Sequence, residues 1–224
     1  MNIIKFVYIL MPGSIIMTLL WAPPAAILGD TSRIIYYHVP LAWISVLAFI
    51  ISGIYSGVYL LTIKKQQIKD LHEKSHISAS LGLFFTILTV ITGSIWAKVS
   101  WGSFWNWDPR ETSIMVLLLI YISYISLHTT LSNNENQGKI CASYLIIAAA
   151  TVPFFVFIIP RLYPSLHPDP ILNREIRIHL DSRMRLTLLC SLLSFTFLFF
   201  YLFQLRIRMH NIGRAIEEQR DEKV

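Results

Sequence analysis

The chain has 224 residues, of which 54% are hydrophobic and only 14% are charged, and its formal net charge is +6. A soluble globular domain carries about 25% charged residues, so these values indicate an integral membrane protein. With 9 glycines, 10 prolines and 2 cysteines, the composition excludes a disordered chain, a collagen-like repeat and a disulfide-stapled secreted scaffold.

Six apolar runs are long enough to cross a bilayer, which requires about 20 residues per helix. They cover residues 6–28, 41–63, 77–97, 113–131, 140–160 and 186–205. We therefore predict an all-α integral membrane protein with six transmembrane helices that form a single membrane domain, 1–224. The first run resembles a signal peptide, but it is longer than the roughly 7–15 apolar residues of a signal sequence, so we interpret it as a span.

The distribution of Lys and Arg predicts that both termini are cytoplasmic. Six spans place the two termini and the loops near 64–76 and 132–139 on one side, and that side carries eleven of the nineteen cations. Cytoplasmic loops commonly contain the excess of basic residues. The eight cations of the outer side are still numerous, which suggests that some of them bind an anionic ligand.

Three outer loops contain the candidate functional residues. The first, about 29–40, contains Arg33 and His38, and the third contains His167 in SLHPDP. The second loop, 98–112, includes WGSFWNWDPRET, in which three tryptophans lie within seven residues. Because the spans alternate in direction, all three loops lie on the same side of the membrane.

The second loop has the composition of a binding surface for a flat, conjugated ligand with anionic groups. Its aromatic residues are Trp101, Phe104, Trp105 and Trp107. The aromatic belt of a membrane interface explains one or two tryptophans in a loop. It does not explain three of them beside Asp108 and Arg110, so the segment is interpreted as a flat indole surface for a ligand.

Haem fits this description, because it has a porphyrin face, two propionates and an iron that imidazoles ligate readily. His38 and His167 flank the tryptophan-rich segment, and we predict them as axial ligands. Arg33 and Arg110 are the predicted propionate partners, since a guanidinium binds a carboxylate through two parallel hydrogen bonds. Asp108 cannot contact a propionate directly and is predicted to hold Arg110 or an indole N–H in place.

The remaining histidines are predicted to lie outside the site. His179, within NREIRIHLDSRMR, is the alternative second ligand, but its surroundings are typical of an amphipathic segment on the membrane surface. His72 and His76 are spaced i, i+4 among charged residues, which predicts a solvated face of a cytoplasmic loop. His128 and His210 are also expected on the cytoplasmic side.

The segment WGSFWNWDPR, with HVPLAW before it and SLHP after it, resembles the tryptophan-rich (WWD) haem-handling proteins of cytochrome c-type biogenesis. The resemblance is to the haem exporter protein C family, CcmC, and extends over nearly the whole chain. It implies non-covalent haem b at the periplasmic face of the bacterial inner membrane. It also implies axial ligands at His38 and His167, a porphyrin held by the tryptophan-rich segment, and haem-binding cations at Arg33 and Arg110.

The same resemblance implies a set of partners. Haem would be presented to a periplasmic haem chaperone (CcmE-like), beside ATP-binding-cassette haem exporter subunits and a small membrane adaptor, with no nucleic acid involved. The chain departs from the family at Phe104, where a tryptophan is frequent. WNWDPRET is also close to CcsA, the synthetase subunit of the other assembly system, so a short CcsA-like protein is the alternative, although HVPLAW favours the exporter family.

Two other classes of function are disfavoured. An electron carrier of the cytochrome b type would place histidines in the middle of its spans, and a permease would place ionisable residues along them. The six apolar runs lack both features. No nucleophile, metal-bound water or phosphate-binding loop is recognisable, so we expect a haem-handling protein without hydrolytic activity.

Overall fold

The computed structural model describes residues 3–26, 28–62, 65–167 and 180–221. In these ranges it contains seven α-helices: α1 (Ile3–Ile16), α2 (Ile35–Leu61), α3 (Lys65–Trp101), α4 (Pro109–Thr130), α5 (Gln137–Pro153), α6 (Ile159–Leu162) and α7 (Ser182–Asp221). A π-helical turn, Met17–Trp21, continues α1, and a second, Phe154–Ile158, joins α5 to α6. A 3-10 turn, Asp30–Ile34, leads into α2.

Six helical segments of the described residues are long and apolar enough to cross a membrane. They are Ile3–Trp21, Asp30–Leu61, Asp70–Trp101, Pro109–Thr130, Gln137–Leu162 and Ser182–Arg220. This confirms the predicted all-α class and the number of spans. Because the spans alternate in direction, the first, third and fifth connections lie at one end of the bundle, which we call the site end. The other connections and both termini lie at the opposite end.

The first connection is shorter than the predicted loop 29–40, and the placement of His38 in a loop is wrong. Helical structure begins at Asp30, so His38 lies in the first turns of α2. Pro40 does not end this helix. Its ring removes the N–H that would bond to the carbonyl of Tyr36, and the hydroxyl of Ser191 in α7 donates to that carbonyl instead.

Helix α2 lies at the centre of the bundle, against α3, α5 and α7. One buried cluster joins it to α3, α4 and α5, and within that cluster the rings of Phe49 and Tyr121 are stacked with centroids 3.5 Å apart. Close approach to α5 depends on Gly53, where an added methyl group would collide with Ala149. Small residues at such contacts let membrane helices pack tightly, so α2 forms a fixed support for His38.

The predicted solvated face for His72 and His76 is wrong. Helix α3 starts at Lys65, well before the predicted boundary at 77, so both residues are helical and only partly exposed. The ring of His76 is stacked on His128 of α4, with centroids 3.7 Å apart and planes at 15°. These histidines therefore pack between helices at the opposite end.

Candidate functional site

The start of α4 is fixed by two carboxylates. Asp108 is the N-cap, and its Oδ1 accepts a hydrogen bond from the backbone N–H of Arg110 at 2.9 Å. Oε2 of Glu111 accepts from the backbone N–H groups of Asn106 at 2.7 Å and of Asp108 at 3.3 Å. This reciprocal arrangement is a capping box, and it anchors the end of the tryptophan-rich segment to the helix.

The connection between α3 and α4 comprises residues 102–108 rather than the predicted 98–112, because α3 continues to Trp101. Within it Trp107 has a φ of 57°, a left-handed conformation that is uncommon for a bulky side chain and costs about 1–3 kcal/mol. Glu111 holds the N–H groups on both sides of Trp107. The clamp keeps the indole directed outward, where it is 71% exposed.

The indoles do not form the predicted flat surface. The rings of Trp105 and Trp107 lie at 87°, with centroids 5.8 Å apart. Those of Trp96 and Trp101 lie at 74°, with centroids 4.8 Å apart. Edge-to-face contact suits the charge distribution of aromatic rings. The segment therefore presents two angled pairs, with Phe104 exposed between them in the sequence.

His167 is held by Asp108, whose side chain is fully buried. Nδ1 of His167 donates to Oδ1 of Asp108 at 2.9 Å. The same carboxylate accepts from the hydroxyl of Ser165 at 2.9 Å and from the N–H of Leu166 at 2.7 Å. Asp108 thus contacts the backbone of Arg110, as the N-cap of α4, and in addition it orients His167, a partner that the sequence does not predict.

The carboxylate and the imidazole have complementary electrostatics. Burial alone would raise the pKa of Asp108, but the donors of Arg110, Leu166, His167 and Ser165 outweigh burial and lower that pKa. Burial lowers the pKa of His167, the charge of Arg110 adds to the effect, and Asp108 opposes it. At neutral pH the pair is a carboxylate and a neutral imidazole. The ionised carboxylate only accepts hydrogen bonds, so Nδ1 carries the proton and Nε2 has a lone pair.

His38 is oriented by α3 in a similar way. Its Nδ1 lies 3.0 Å from Oγ1 of Thr92. That hydroxyl gives its hydrogen to the carbonyl of Leu88 at 2.8 Å, so towards His38 it is the acceptor. Nδ1 of His38 is therefore protonated and Nε2 has the lone pair. Gly93 provides the space, since an added Cβ would lie 2.9 Å from Cε1 of the imidazole.

Helix α3 brings the two imidazoles together. Thr92 and Trp96, one turn apart, share a face of the helix. The ring of His167 lies 5.7 Å from Trp96 and 4.8 Å from Trp101, measured between centroids. His38 and His167 are close enough to interact electrostatically. The structure thus brings both predicted ligands to the same place as the indoles of Trp96 and Trp101, which we call the inner pair.

The two predicted cations occupy different surroundings. The charge of Arg110 acts on the imidazole of His167, which places it at the site. Nε of Arg33 donates to Asp30 at 2.9 Å, and its guanidinium also donates to two backbone carbonyls near the end of the first span. The hydrogen bonds of Arg33 to other described residues do not reach either histidine. The alternative ligand, His179, lies outside the described residues.

Several positioning residues escaped the sequence reasoning. Thr92 and Gly93 are unremarkable within an apolar run, although their spacing from Trp96 is that of one helical face. Ser165 precedes His167 by two residues and was not singled out. Glu111 carries a readable signal, because an N-cap Asp followed by Pro and then Glu three residues later is typical of a capping box.

Comparison with known proteins identifies the family of this chain. The model of the family described as heme exporter protein C matches residues 1–222. The chain belongs to the heme exporter protein C family. This confirms the resemblance drawn from the tryptophan-rich segment and places the chain among the membrane proteins of cytochrome c biogenesis.

Individual relatives are similar over most of their length. A "Putative cytochrome c biosynthesis ccmC-like mitochondrial protein" of Marchantia polymorpha is 32% identical, over 88% of this chain and 81% of the relative. "Heme exporter protein C" of Rhodobacter capsulatus is 27% identical over 95% and 86%. "Heme exporter protein C" of Escherichia coli is 29% identical over 86% and 74%.

Proposed function

We propose that this protein binds haem b non-covalently at the site end and presents it to a periplasmic haem chaperone (CcmE-like) during cytochrome c maturation. The axial ligands are His38 and His167. The observation that carries the proposal is that Nδ1 of each imidazole donates a hydrogen bond to an oxygen, which leaves both Nε2 lone pairs unused, while the two side chains lie near enough to interact electrostatically at one end of the bundle.

The residues present fit this cofactor. When bound, haem supplies an iron with two axial positions, two propionates and a flat conjugated face. His38 and His167 offer two neutral nitrogen donors, which are suitable for a haem iron. Arg110 is the propionate partner beside His167, and the indoles of Trp101, Trp105 and Trp107 with Phe104 contact the porphyrin. Arg33 is a second propionate partner and would exchange a carbonyl contact for the carboxylate.

The two ligands are supported differently. Asp108 gives His167 an anionic hydrogen-bond partner, which raises the basicity of the imidazole. Thr92 gives His38 a neutral partner, so His38 is the weaker donor. His167 therefore keeps its hold on the cofactor longer, and exchange with an incoming ligand begins on the His38 side. Presentation needs only such positioning, and no hydrolytic group takes part in it.

The exposed side chains of Trp107 and Phe104 define where the chaperone approaches. Trp107 is 71% exposed and Phe104 is 58% exposed, whereas Trp96 and Trp101 pack on His167. We propose that Trp96 and Trp101 hold one edge of the haem. Trp107 and Phe104 leave the other edge accessible. The chaperone would bind at this outer edge.

The proposed location is the bacterial inner membrane, with the site end facing the periplasm and both termini in the cytoplasm. The Lys and Arg distribution supports this orientation. ATP-binding-cassette haem exporter subunits and a small membrane adaptor are the proposed partners, because relatives are described as heme exporter proteins.

The test of ligation is spectroscopic. The purified protein in detergent should take up haem and give a low-spin spectrum with two imidazole ligands. His38→Ala or His167→Ala should each convert it to a spectrum with one imidazole. His210→Ala, which removes an imidazole at the opposite end, is the matched control and should leave the spectrum as it is. Unchanged spectra in both site variants would overturn the ligand assignment.

The test of presentation separates binding from transfer. Trp107→Ala should retain haem with an unchanged two-imidazole spectrum, while transfer to the purified chaperone slows about tenfold, which corresponds to about 1.4 kcal/mol in the barrier. Leu119→Ala changes an exposed apolar residue in the middle of α4 and serves as the control. Equal transfer by both variants would contradict the proposed docking edge.

A further inference from the structure

Helix α7 is longer than a membrane span requires. It has 40 residues, Ser182–Asp221, and contains no proline, whereas about 20 residues cross the hydrocarbon core. Its apolar run ends at Leu205, and Arg206 follows. The helix therefore continues past the bilayer at the opposite end of the bundle for about four turns. We call this part, residues 206–221, the α7 extension.

One face of the α7 extension is fixed to the beginning of α3. Nδ1 of His210 lies 3.3 Å from Oε1 of Glu73, and Nη1 of Arg214 lies 3.4 Å from Oδ1 of Asp70. Ile207 packs against the buried cluster that joins α2, α3 and α7. These contacts determine the direction in which the α7 extension leaves the bundle.

The face turned away from α3 is apolar and exposed. Met209, Ile212 and Ile216 are 60–61% exposed, and Leu205, one turn before them, is 38% exposed. Successive spacings of four, three and four residues place the four side chains in one line on the helix. We call this line the α7 stripe. Its spacing is the heptad spacing of helices that pack against another helix, and the described residues leave it uncovered.

Lipid does not account for the α7 stripe. At a rise of about 1.5 Å per residue, Ile212 lies about 10 Å and Ile216 about 16 Å beyond Leu205 along the helix. The headgroup region adds only about 5–7 Å on each side of the hydrocarbon core. Because α7 is one continuous helix at this point, it does not turn to lie on the membrane surface. The far half of the stripe is therefore exposed to water.

The charges beside the α7 stripe indicate the chemistry of its partner. Arg208 borders one edge, Arg206 and Arg220 border the other, and all three side chains are exposed. Glu217 also lies at the second edge, so the two edges together are cationic. Two copies of this chain in one membrane would bring arginines against arginines, and like charges at these positions repel. Carboxylates beside the apolar residues of another protein would pair with these arginines.

We propose that the α7 stripe binds an amphipathic helix of another protein, on the side of the termini, whose apolar residues follow heptad spacing and are flanked by Asp and Glu. Apolar contact along the stripe supplies affinity, and the arginines select an acidic partner. Because α3 already fixes the α7 extension, docking orders little of this chain. The stripe and the site end are at opposite ends of the bundle, so the proposal does not depend on haem binding.

The first measurement uses two designed peptides and the full-length protein in lipid nanodiscs. Both peptides are helices of three heptads with Leu and Ile at the core positions. The acidic peptide has Glu at the flanking positions, and the basic peptide has Lys there. Binding is followed by the fluorescence anisotropy of the labelled peptide. We expect the acidic peptide to bind at least tenfold more tightly than the basic peptide.

Three variants test which residues carry this binding. Ile212→Glu should weaken binding of the acidic peptide at least tenfold, because it places a charge in the apolar line. Asn211→Glu adds the same charge on the neighbouring exposed residue outside the stripe, so it is the matched control and should change binding little. Arg206→Glu/Arg208→Glu should reverse the preference and favour the basic peptide, which also shows that the altered helix is folded.

The second measurement identifies what covers the α7 stripe in native membranes. Ile212→benzoylphenylalanine and Asn211→benzoylphenylalanine each place a photoreactive side chain in the full-length chain, and the crosslinked products are identified by mass spectrometry. We expect position 212, and not position 211, to crosslink to a different protein. The crosslinked segment should have heptad apolar spacing with Asp and Glu at its flanks.

Several results would overturn the proposal. Equal binding of the two peptides, or equal binding by Ile212→Glu and Asn211→Glu, shows that the stripe and its arginines do not select a partner. A crosslink from position 212 to lipid assigns the stripe to the membrane, and one to a second copy assigns it to a dimer. The absence of a protein crosslink at position 212, or a crosslinked segment without acidic flanks, also contradicts the proposal.

Discussion

The two ends of the bundle both hold imidazoles close together, yet they hold them by different means. At the site end each Nδ1 meets an oxygen acceptor, that of Asp108 or Thr92. At the opposite end His128 is held by ring stacking against His76 and His72. An acceptor fixes both the proton and the direction of the lone pair, whereas stacking fixes only the plane of the ring.

This difference predicts a ranking of the two ends. The site end is organised before its ligand arrives, so ligand binding there needs little rearrangement and is tight. At the opposite end stacking fixes only the ring planes of His128 and its two neighbours, so a substitution there should disturb haem binding at the site end much less. Four substitutions test this contrast, and they are ordered by the size of the expected effect.

Asp108→Ala should have the largest effect. It removes the α4 cap, worth about 1 kcal/mol, and the three hydrogen bonds from Ser165, Leu166 and His167, each worth about 1 kcal/mol. We expect a loss of about 3–5 kcal/mol in unfolding free energy and a 10–100-fold weaker affinity for haem, measured by denaturant unfolding and titration. The matched change at the opposite end is Tyr124→Phe, which removes the partner of His76. A loss as large in Tyr124→Phe would erase the contrast between the ends.

Gly93→Ala should be next, since the new Cβ would lie 2.9 Å from Cε1 of His38 and displace that imidazole. We expect an affinity for haem about tenfold weaker, equivalent to about 1.4 kcal/mol, and a spectrum shifted towards one imidazole ligand. Gly57→Ala in the same bundle is the control, because nothing lies within 4 Å of its added Cβ. Equal spectra for the two variants would show that His38 has room to move.

Thr92→Val tests the acceptor without altering the size of the side chain. The loss of Oγ1 removes the side-chain acceptor of Nδ1 of His38 and leaves only the backbone carbonyl of Thr89 near the imidazole. We expect an affinity about fivefold to tenfold weaker, in the lower part of the range for residues that orient metal ligands. Thr92→Ser restores the hydroxyl and should recover the affinity. If serine and valine behave alike in the titration, the hydrogen bond does not orient His38.

Trp107→Gly should have the smallest effect on stability, and it should raise stability where Asp108→Ala lowers it. Glycine adopts a φ of 57° without strain, so we expect unfolding to become harder by about 1 kcal/mol while transfer to the chaperone slows. Trp105→Gly, where the structure has no left-handed residue, should lower stability. The measurement is the thermal unfolding midpoint of the two variants. Destabilisation by Trp107→Gly would show that the backbone of Trp107, held by Glu111, is not strained.

Much of the architecture was readable from the sequence, because apolar runs of membrane length have few alternative structures. The helix ends were less readable. Pro40 suggested a loop before it, but the carbonyl that it leaves unpaired is satisfied by Ser191, more than 150 residues away. The sequence places the start of α3 too late, because the residues before position 77 are charged and end the apolar run although the helix continues through them. The first error concerns a partner that is distant in the chain, and the second concerns the charge of the residues themselves.

The site likewise has features that the sequence predicts and features that it does not. The residue types of the tryptophan-rich segment predict a cofactor class and single out His38 and His167, and the structure brings these two histidines to the same end of the bundle. The arrangement of indoles as two angled pairs could not be predicted, because it depends on the φ of Trp107 and on the Glu111 clamp. The role of Asp108 was also missed, since its contact with His167 spans 59 residues.

The length of α3 has a mechanical consequence. Its 37 residues, Lys65–Trp101, contain no proline and form a continuous rod of about 55 Å at about 1.5 Å per residue. The rod carries Thr92 and Trp96 near one end and His72 and His76 near the other. A rod without a hinge moves as one body, so a tilt or axial slide of α3 that loosens His38 also changes the spacing between His76 and His128 at the opposite end.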